Sequence, residues 1–340
     1  MRLLFLRDAL REVQLRLKPL QGRLKEDNLL LGVTGYVASG KSHFCTFLRA
    51  DVEVILNTTI IYLPLDLWIN KGMREARRYA DRFFLGDLIE AVRCIKAGNR
   101  FLVSRYDIMK TIVRMEDAAD PSAPRITWNG RSFTLFGGRR TMKQLAGATD
   151  FYVDPSTGYL YSMFPSGTGH CYLLDGTLIV PPEVRAFYDL LIFVETSWPV
   201  RVARMIRRFN RKEVFGATQK SMRDYVGFLV KEARECTDEE IRSQIDSGIL
   251  RIASIPDTLS NYLDLAYLCW LTELPDTPDW VRHAEAKEAM RTYLEYLRGV
   301  HDAETISRFR QELAALMESK HLLALPDAVC LLSELAVIVH

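Results

Sequence analysis

Residues 35–42 have the spacing of a phosphate-binding loop. They read Gly-Tyr-Val-Ala-Ser-Gly-Lys-Ser and follow an apolar stretch, residues 29–34, that is predicted to form a β-strand. The glycines allow a turn tight enough for several backbone N–H groups to point at one phosphate chain. Lys41 is then placed to reach the β- and γ-phosphates, and the Ser42 hydroxyl is placed to bind Mg²⁺. We therefore expect the chain to bind a nucleoside triphosphate.

The predicted nucleotide-binding residues are the loop and the start of the helix that should follow it. Residues 41–48 contain neither glycine nor proline, so a helix can begin here and direct the positive end of its dipole at the phosphates. His43 lies in the first turn of that helix, and we interpret it as a surface residue rather than a base. The set comprises Gly35, Ala38, Ser39, Gly40, Lys41, Ser42 and His43.

Asp66, Asp175 and Glu195 each come at the end of a predicted strand. Ligands of parallel α/β sheets bind at the carboxyl ends of the strands. A phosphotransferase needs one carboxylate to accept or orient the proton of the acceptor hydroxyl, and usually another to hold Mg²⁺. We assign the first role to Asp66 and the second to Asp175 together with Ser42. The alternative is that each aspartate only closes a turn or caps a helix.

Five arginines lie within eleven residues after the last of these strands. Most are spaced by three or four residues, which predicts a helix, and we interpret residues 200–216 as an Arg-rich lid. Cations on a mobile helix can neutralise a transferring phosphoryl group and exclude water. Arg204 and Arg208 share one helical face, so they join Lys41 and Asp66 as predicted catalytic residues; the alternative is a solvated helix face. The five are Arg201, Arg204, Arg207, Arg208 and Arg211.

The segment after the short predicted strand at 101–103 carries residues that we expect to contact the acceptor. An aromatic ring can stack on a flat ligand while charged neighbours contact its polar groups. The alternative is that the tyrosine is a core residue and the aspartate a cap. Trp68 is added because it lies two residues after Asp66. The predicted acceptor-binding residues are Trp68, Arg105, Tyr106, Asp107 and Arg114.

Strands alternate with helices along residues 29–270, which predicts an α/β fold with a doubly wound parallel sheet. Apolar residues at three- and four-residue steps predict an N-terminal helix within residues 1–28, and residues 271–340 have a helical pattern. Residues 117–170 carry two hairpin signals, one with an Asn-Gly turn at 129–130, and predict an inserted β-subdomain. The terminal helices either form a homodimer or cover sheet edges.

The composition excludes several classes of partner. A formal net charge of +2 gives no general reason to expect a nucleic acid. No apolar run approaches the length of a membrane-spanning helix, so no membrane association is expected. The six cysteines are dispersed without a C-x-x-C pair, which favours reduced thiols in a cytoplasmic protein.

The order of these motifs resembles the uridine kinase and phosphoribulokinase family of P-loop kinases, which also includes bacterial-type pantothenate kinase. The resemblance covers roughly residues 29–270, and the Ala-Ser-Gly-Lys core of the loop is typical of the family. It implies that Asp66 activates the acceptor hydroxyl and that the Tyr106-Asp107 segment contacts a nucleoside. Further matching segments are Lys96-Ala97-Gly98-Asn99, Leu174-Asp175-Gly176 and residues 189–208.

Four departures from this pattern concern the acceptor. Asp175 stands where uridine kinases have Glu, and Ile69 replaces the Tyr expected after the catalytic Asp. Thr111 lies where a nucleoside-contacting His is expected, and the 117–170 insert is longer than the family's small hairpin. The resemblance therefore implies phosphoryl transfer and leaves the acceptor open among a modified nucleoside, another small alcohol and something larger.

The leading hypothesis is an ATP- or GTP-dependent, Mg²⁺-requiring kinase that phosphorylates a hydroxyl of a small molecule. A nucleoside or nucleoside-like acceptor comes first, and a pantothenate- or glycerate-like alcohol is the nearest alternative. A hypothesis of another class is a nucleotide-gated regulatory or binding protein that hydrolyses its nucleotide slowly. Asp66 and the Arg-rich segment favour the first, because binding alone requires neither.

Overall fold

The structure of the 340-residue chain is a computed structural model. It describes residues 6–69, 83–104, 123–136, 147–177, 179–196 and 250–253, together with Arg201, Arg204, Ser307 and Gln311. The chain divides into two compact units, which are described separately. The first consists of Met1–Tyr36, Gly40–Val194 and Arg234–Ile252, and the second of Val37–Ser39, Glu195–Ala233 and Ala253–His340. The domain boundaries placed at 28 and 270 stay predictions.

The described helices and strands alternate from α1 to β3, as the sequence predicts, whereas the described elements after β3 are strands. In chain order they are α1 (Leu6–Leu17), β1 (Leu29–Gly35), α2 (Lys41–Leu56), β2 (Ile60–Pro64), α3 (Leu85–Ala97), β3 (Phe101–Ser104), β4 (Arg125–Trp128), β5 (Arg131–Leu135), β6 (Phe151–Val153), β7 (Leu160–Phe164), β8 (Cys171–Asp175), β9 (Leu190–Glu195) and β10 (Leu250–Ala253).

A five-stranded sheet in the order β10-β9-β1-β8-β2 forms the centre of the α/β fold. β1 is parallel to both β8 and β9, and β8 is parallel to β2. The register places Val33 and Pro64 opposite Asp175, on either side of it. The carboxyl ends of β1, β2 and β8 therefore meet at one edge of the sheet, as the sequence predicts.

Both faces of the parallel sheet are covered, so β1 buries both of its alternating sets of side chains. Leu29, Leu31 and Val33 of β1 belong to the apolar cluster that includes residues of α1 and α2. Leu30 belongs to the cluster on the other face, which includes residues of α3 and of a second sheet. This two-sided burial explains why β1 is apolar throughout and accords with a doubly wound arrangement.

The second sheet is antiparallel and has the order β3-β7-β6-β5-β4. The sequence placed the strand at 101–103 among the strands of the α/β core, but β3 pairs with β7, with Phe101 opposite Phe164. Their rings stack with centroids 4.8 Å apart, and both side chains are buried in the cluster shared with the parallel sheet. The antiparallel sheet thus extends beyond the predicted insert at 117–170, because it takes in a strand that precedes it.

Both predicted hairpins form in this sheet. β4 and β5 are joined by Asn129 and Gly130, whose φ angles of 48° and 71° are the positive values that an Asn-Gly turn provides. β6 and β7 pair with Tyr152 opposite Tyr161.

The Arg131 side chain, at the start of β5, lies between two buried carboxylates. It donates to Asp87 and, over 3.2 Å, to Asp154.

A polar network holds the amino end of the parallel sheet. The Asn28 amide donates to the carbonyls of Ile95 and Gly167, both at 2.8 Å, and its oxygen accepts from the His170 N–H at 2.9 Å. Both oxygens of the buried Asp189 are bonded as well. Oδ2 accepts from the Leu30 N–H at 2.8 Å and from Lys96 Nζ at 2.9 Å, and Oδ1 lies 3.0 Å from Arg23 Nη2.

The terminal extensions are described only in part. α1 and the short 3₁₀ turns Lys18–Gln21 and Arg23–Lys25 lie within the predicted N-terminal helical region. In the predicted C-terminal extension, Ser307 and Gln311 are helical, and the rest lies outside the described residues. No helix in the described ranges has the length and apolar character needed to span a membrane.

Candidate functional site

The loop after β1 has the backbone conformation that the sequence predicts for binding phosphate. Gly35, Ala38 and Gly40 have φ angles of 149°, 61° and 94°. A positive φ is unusual for an alanine, so the tight turn is imposed even where the residue is not glycine. Backbone that alternates in this way turns successive N–H groups toward a common centre, where they can bind an anion. Gly40 caps α2, whose first turn adds further N–H groups that have no partner within the helix.

Lys41 folds back over this loop. Its Nζ donates a hydrogen bond of 2.7 Å to the carbonyl oxygen of Tyr36. The ammonium group is therefore held at the loop rather than extended into solvent. This is the location from which a lysine of the predicted role can reach bound phosphates.

Asp175, at the carboxyl end of β8, lies at the centre of the candidate site in the first unit. Its side chain is buried, with 3% of the residue exposed. The Oδ2 atom accepts two hydrogen bonds of 2.7 Å, one from Ser42 Oγ and one from the Tyr62 hydroxyl. The parallel register brings the end of β8 beside β1, and the loop brings Ser42 to the start of α2. The structure therefore joins the two residues predicted to hold Mg²⁺.

The other carboxylate oxygen of Asp175 is different. Oδ1 is buried and has no hydrogen-bond partner among the residues that the structure describes. A buried carboxylate oxygen without a partner is costly, and a divalent cation is one group that would satisfy it. Carboxylate and hydroxyl oxygens are ligands that Mg²⁺ accepts, together with phosphate oxygens and water. Asp175 and Ser42 thus fit such an ion.

Fewer protein ligands are present than in a dedicated metal site. The described part of the chain contains no group of three or more His, Cys, Asp or Glu side chains that could hold a metal ion. Mg²⁺ that accompanies a nucleotide is usually held by one or two protein oxygens plus phosphates and water. The pair formed by Asp175 and Ser42 matches this second mode.

The site is electrostatically unusual because a negative carboxylate is enclosed beside weak acids. Burial, and then the charge of Asp175, raise the pKa of the Tyr62 hydroxyl above its ordinary value. The same two causes raise the pKa of the Cys45 thiol. Tyr62 therefore stays a hydrogen-bond donor, and Cys45 stays a neutral thiol, throughout the physiological pH range.

Asp66 lies in the 3₁₀ turn Leu65–Trp68, directly after β2. Its side chain is exposed, whereas Leu65 on one side and Leu67 on the other are buried. The turn packs closely against the end of β8: a Cβ atom added at Gly176 would lie 2.3 Å from Leu65 Cβ. Asp66 therefore projects from the same edge of the sheet at which β8 ends, as the sequence predicts.

The second unit contains the middle of the phosphate-binding loop. Arg204 Nη1 donates a 3.1 Å hydrogen bond to the carbonyl oxygen of Ala38, and Thr196 Oγ1 donates one of 2.8 Å to that of Ser39. The hydroxyl of Ser39 itself is buried without a partner in the described ranges. Arg204, predicted to be catalytic, thus contacts the loop backbone.

Trp68 has surroundings other than those predicted, whereas His43 lies on the helix surface, as predicted. Trp68 is predicted to bind the acceptor, but its side chain is fully buried in the apolar cluster to which both sheets contribute. A large apolar side chain gains most from such burial, which explains its packing role. His43 is exposed on α2 and contacts the Phe47 ring, with centroids 5.0 Å apart.

The remaining predicted residues lie outside the described residues, and their assignments stay predictions. They are Arg105, Tyr106, Asp107, Arg114 and Arg208.

Sequence reasoning missed Tyr62 and Thr196. Tyr62 is a hydroxyl-bearing residue in the otherwise apolar strand Ile60–Pro64. It lies two positions before the carboxyl end of that strand, so its side chain is on the same face as that of the last residue, close to where ligands of parallel sheets bind. That spacing is the signal that could have identified it. Thr196 follows Glu195 directly and carried no pattern of its own.

No family model matches the sequence, and no curated protein matches it either. Solved structures of kinases are similar to the chain at low sequence identity. One, described as a candidate fructose transport system kinase from Silicibacter sp. TM1040, has 14% identity and a TM-score of 0.41, covering 74% of this chain and 98% of that one.

Two further solved structures are of the same kind. A possible uridine kinase from Bacillus stearothermophilus has 12% identity and a TM-score of 0.34, covering 71% of this chain and 99% of that one. D-glycerate 3-kinase from Cryptococcus neoformans var. grubii serotype A has 11% identity and a TM-score of 0.39, covering 67% and 87%.

Proposed function

We propose that this chain is a P-loop kinase that transfers the γ-phosphoryl group of ATP or GTP to a hydroxyl group of a small molecule. The observation that carries this proposal is the contact of Ser42, at the end of the phosphate-binding loop, with the buried carboxylate of Asp175, whose second oxygen lacks a partner among the described residues. A loop alone would support nucleotide binding, whereas the added carboxylate supports a metal-dependent reaction.

Each residue has a defined role in the proposed reaction. The N–H groups of the loop and of the start of α2 bind the phosphate chain, and Lys41 neutralises the charge of the β- and γ-phosphates. Ser42 and Asp175 would hold Mg²⁺, which would neutralise charge on the phosphate oxygens. The loop conformation is already formed, so little reorganisation accompanies binding.

Asp66 is the proposed base. It is exposed at the carboxyl edge of the sheet, where an acceptor can approach it. Its carboxylate orients the acceptor hydroxyl and takes its proton as the oxygen attacks the γ-phosphorus; the bond to the β-phosphate bridging oxygen breaks, and ADP or GDP leaves. Arg204 and Arg208 are proposed to neutralise the charge on the transferring group.

A nucleoside or nucleoside-like alcohol is the first candidate acceptor, with Arg105, Tyr106, Asp107 and Arg114 as its proposed contacts. The test is release of ADP or GDP in the presence of Mg²⁺ and one alcohol at a time, followed by the product's mass. The panel contains uridine and modified nucleosides, pantothenate, D-glycerate and fructose. We expect one class of alcohol to increase nucleotide turnover and to gain the mass of one phosphoryl group.

Variants separate the proposed kinase from a nucleotide-gated binding protein. Asp66→Asn should reduce acceptor-dependent turnover by about 100-fold or more while leaving nucleotide affinity unchanged, because the base acts only in the chemical step. Turnover that no acceptor stimulates, together with nucleotide-dependent capture of another protein, would overturn the kinase proposal. Acceptor-dependent turnover that survives Asp66→Asn would overturn the assignment of the base alone.

A further inference from the structure

Tyr62 makes a contact that neither the loop nor the proposed chemistry requires. Its hydroxyl donates a 2.7 Å hydrogen bond to Asp175 Oδ2, the oxygen that also accepts from Ser42 Oγ at 2.7 Å. Both donors thus bond one carboxylate oxygen, and Oδ1 is left without a partner in the described part of the chain. This division between the two oxygens is the feature from which the inference starts.

The backbone fixes the position of the Tyr62 ring. β2 and β8 are parallel, with Tyr62 opposite Leu173 and Pro64 opposite Asp175. Side chains two positions apart share a face of a sheet, so Tyr62 and Asp175 project on the same side. That side is covered by α2, and Tyr62 packs against the apolar cluster to which α2 contributes.

The guanidinium group of Arg49, on α2, also contacts the Tyr62 ring. The guanidinium carbon of Arg49 lies 5.6 Å from the centroid of the Tyr62 ring. This distance is within the range of a cation–π contact, which holds the ring in place and withdraws electron density from it. The hydroxyl is thereby favoured as a donor to the carboxylate.

We propose that Tyr62 is a positioning residue that orients the Asp175 carboxylate for the divalent cation. The inference rests on the proposed function, since it concerns the metal site of that reaction. By bonding Oδ2 from the side of the sheet, Tyr62 leaves Oδ1 as the oxygen available to the cation. Ser42 can then keep donating its hydroxyl hydrogen bond to Oδ2, and the lone pairs of its oxygen would stay available to a cation.

The need for a second donor follows from the chemistry of aspartate. The terminal torsion of Asp has broad, two-fold preferences, so a carboxylate held by one donor can exchange its two oxygens. Ser42 alone is such a donor, and it is also the residue expected to bind the cation. Tyr62 removes this exchange because its ring is fixed by β2 and α2. A pre-oriented ligand loses less conformational freedom when the metal binds.

The test measures metal affinity rather than turnover. Full-length wild-type protein and Tyr62→Phe are saturated with a non-hydrolysable ATP analogue and titrated with Mn²⁺, and unbound Mn²⁺ is followed by electron paramagnetic resonance. Tyr62→Phe should weaken Mn²⁺ binding about tenfold, as expected for loss of a hydrogen bond to a charged group. Affinity for the nucleotide in EDTA should stay the same.

Tyr188→Phe is the matched control. It also removes one buried tyrosine hydroxyl, but that hydroxyl donates to the carbonyl oxygen of Ile179 and not to a carboxylate. We expect Mn²⁺ affinity to be unchanged in this variant. A double-mutant cycle adds a second readout: in the Asp175→Asn background, Tyr62→Phe should have no further effect on Mn²⁺ affinity, because Tyr62 acts through Asp175.

The outcomes separate the two proposals. If the wild type binds nucleotide with Mn²⁺ and Tyr62→Phe binds Mn²⁺ equally well, the inference is overturned and the proposed function stands. A wild-type protein that binds no nucleotide overturns the proposed function and, with it, the inference. If Tyr62→Phe does not fold, Arg49→Gln is tested in its place. We expect Arg49→Gln to weaken Mn²⁺ binding about twofold, because the Tyr62 ring loses its cation–π contact. An unchanged Mn²⁺ affinity in Arg49→Gln would overturn the inference.

Discussion

The two ends of the parallel sheet both contain a buried aspartate, but they treat it differently. At the amino end, Asp189 is bonded through both carboxylate oxygens, to a backbone N–H, Lys96 and Arg23. At the carboxyl end, Asp175 accepts two hydrogen bonds on Oδ2, and its Oδ1 has no partner among the described residues. The described residues bond both carboxylate oxygens at the amino end, whereas at the carboxyl end they leave one oxygen for the cation of the proposed function.

This difference separates stability from function. A fully bonded buried carboxylate holds neighbouring elements together, and its loss leaves charged partners buried without compensation. A carboxylate with an unpaired buried oxygen contributes less to folding, and it persists where binding requires it. The amino end should therefore respond to substitution mainly by a change in stability, and the carboxyl end mainly by a change in activity.

The largest expected effect is that of Asp175→Asn on activity. Loss of the carboxylate charge at the proposed metal site should reduce acceptor-dependent turnover by about 1000-fold, since a bound cation would neutralise the transferring phosphoryl group. The free energy of unfolding should change by less than about 1 kcal/mol, because the amide oxygen can still accept from Tyr62 and Ser42. Turnover and thermal unfolding are measured on the same preparation.

Substitution of the other partner in this contact provides a second test. Ser42→Ala removes the hydroxyl from the other side of the same contact, and it should also impair turnover without unfolding the protein. Near wild-type turnover in Asp175→Asn would break the comparison, since the carboxyl end would then hold its aspartate for structure alone.

Asp189→Asn should have the opposite profile. The single amide oxygen cannot accept from both the partly buried Lys96 and the half-exposed Arg23, so one cation loses its partner and the other faces an amide N–H group. We expect the free energy of unfolding to fall by about 3 kcal/mol, the lower end of the range for breaking a buried ion pair. Urea denaturation measures this change. Turnover per folded molecule should stay near the wild-type value, and a loss of turnover without a loss of stability would contradict the distinction between the two ends.

Much of the fold could be predicted from the sequence because local patterns specify it. The apolar run of β1, the glycine spacing of the loop and the Asn-Gly turn at 129–130 each depend on neighbouring residues only. The placement of β3 could not be predicted in this way. Its partner β7 lies more than fifty residues later in the chain, and a short apolar strand fits either sheet equally well.

The candidate site also contains residues that local sequence predicts and one that it does not. Ser42 and Asp175 were predicted because a motif and a strand end mark them, and their contact follows from the parallel register of β1 and β8. Trp68 was placed beside the acceptor because it is close to Asp66 in sequence. The 3₁₀ turn Leu65–Trp68 instead directs Trp68 into the core and Asp66 outward. Proximity in sequence does not determine which side of a turn a side chain occupies.

Asn28→Ala should have an intermediate effect on stability. It removes an amide that bonds the carbonyls of Ile95 and Gly167 and the N–H of His170, and so leaves three backbone groups without that partner. We expect a loss of about 2 kcal/mol, measured as a lower urea midpoint. Unchanged stability would mean that water replaces the amide at the amino end, and this end would then be no more complete than the other.

The smallest expected effect is that of Arg16→Ala, which sets the scale for the others. Arg16 Nε donates to Glu12 over 2.9 Å on α1, and its side chain is 45% exposed. An exposed pair with this spacing contributes only about 0.3–0.5 kcal/mol, because water screens the charges and two long side chains lose freedom. Stability measured at low salt and at 1 M salt should therefore differ little between the variant and the wild type. If Arg16→Ala lowered the free energy of unfolding as much as Asp189→Asn, burial would not be what distinguishes the amino-end network. Charge alone would then explain the contribution of both ion pairs to stability.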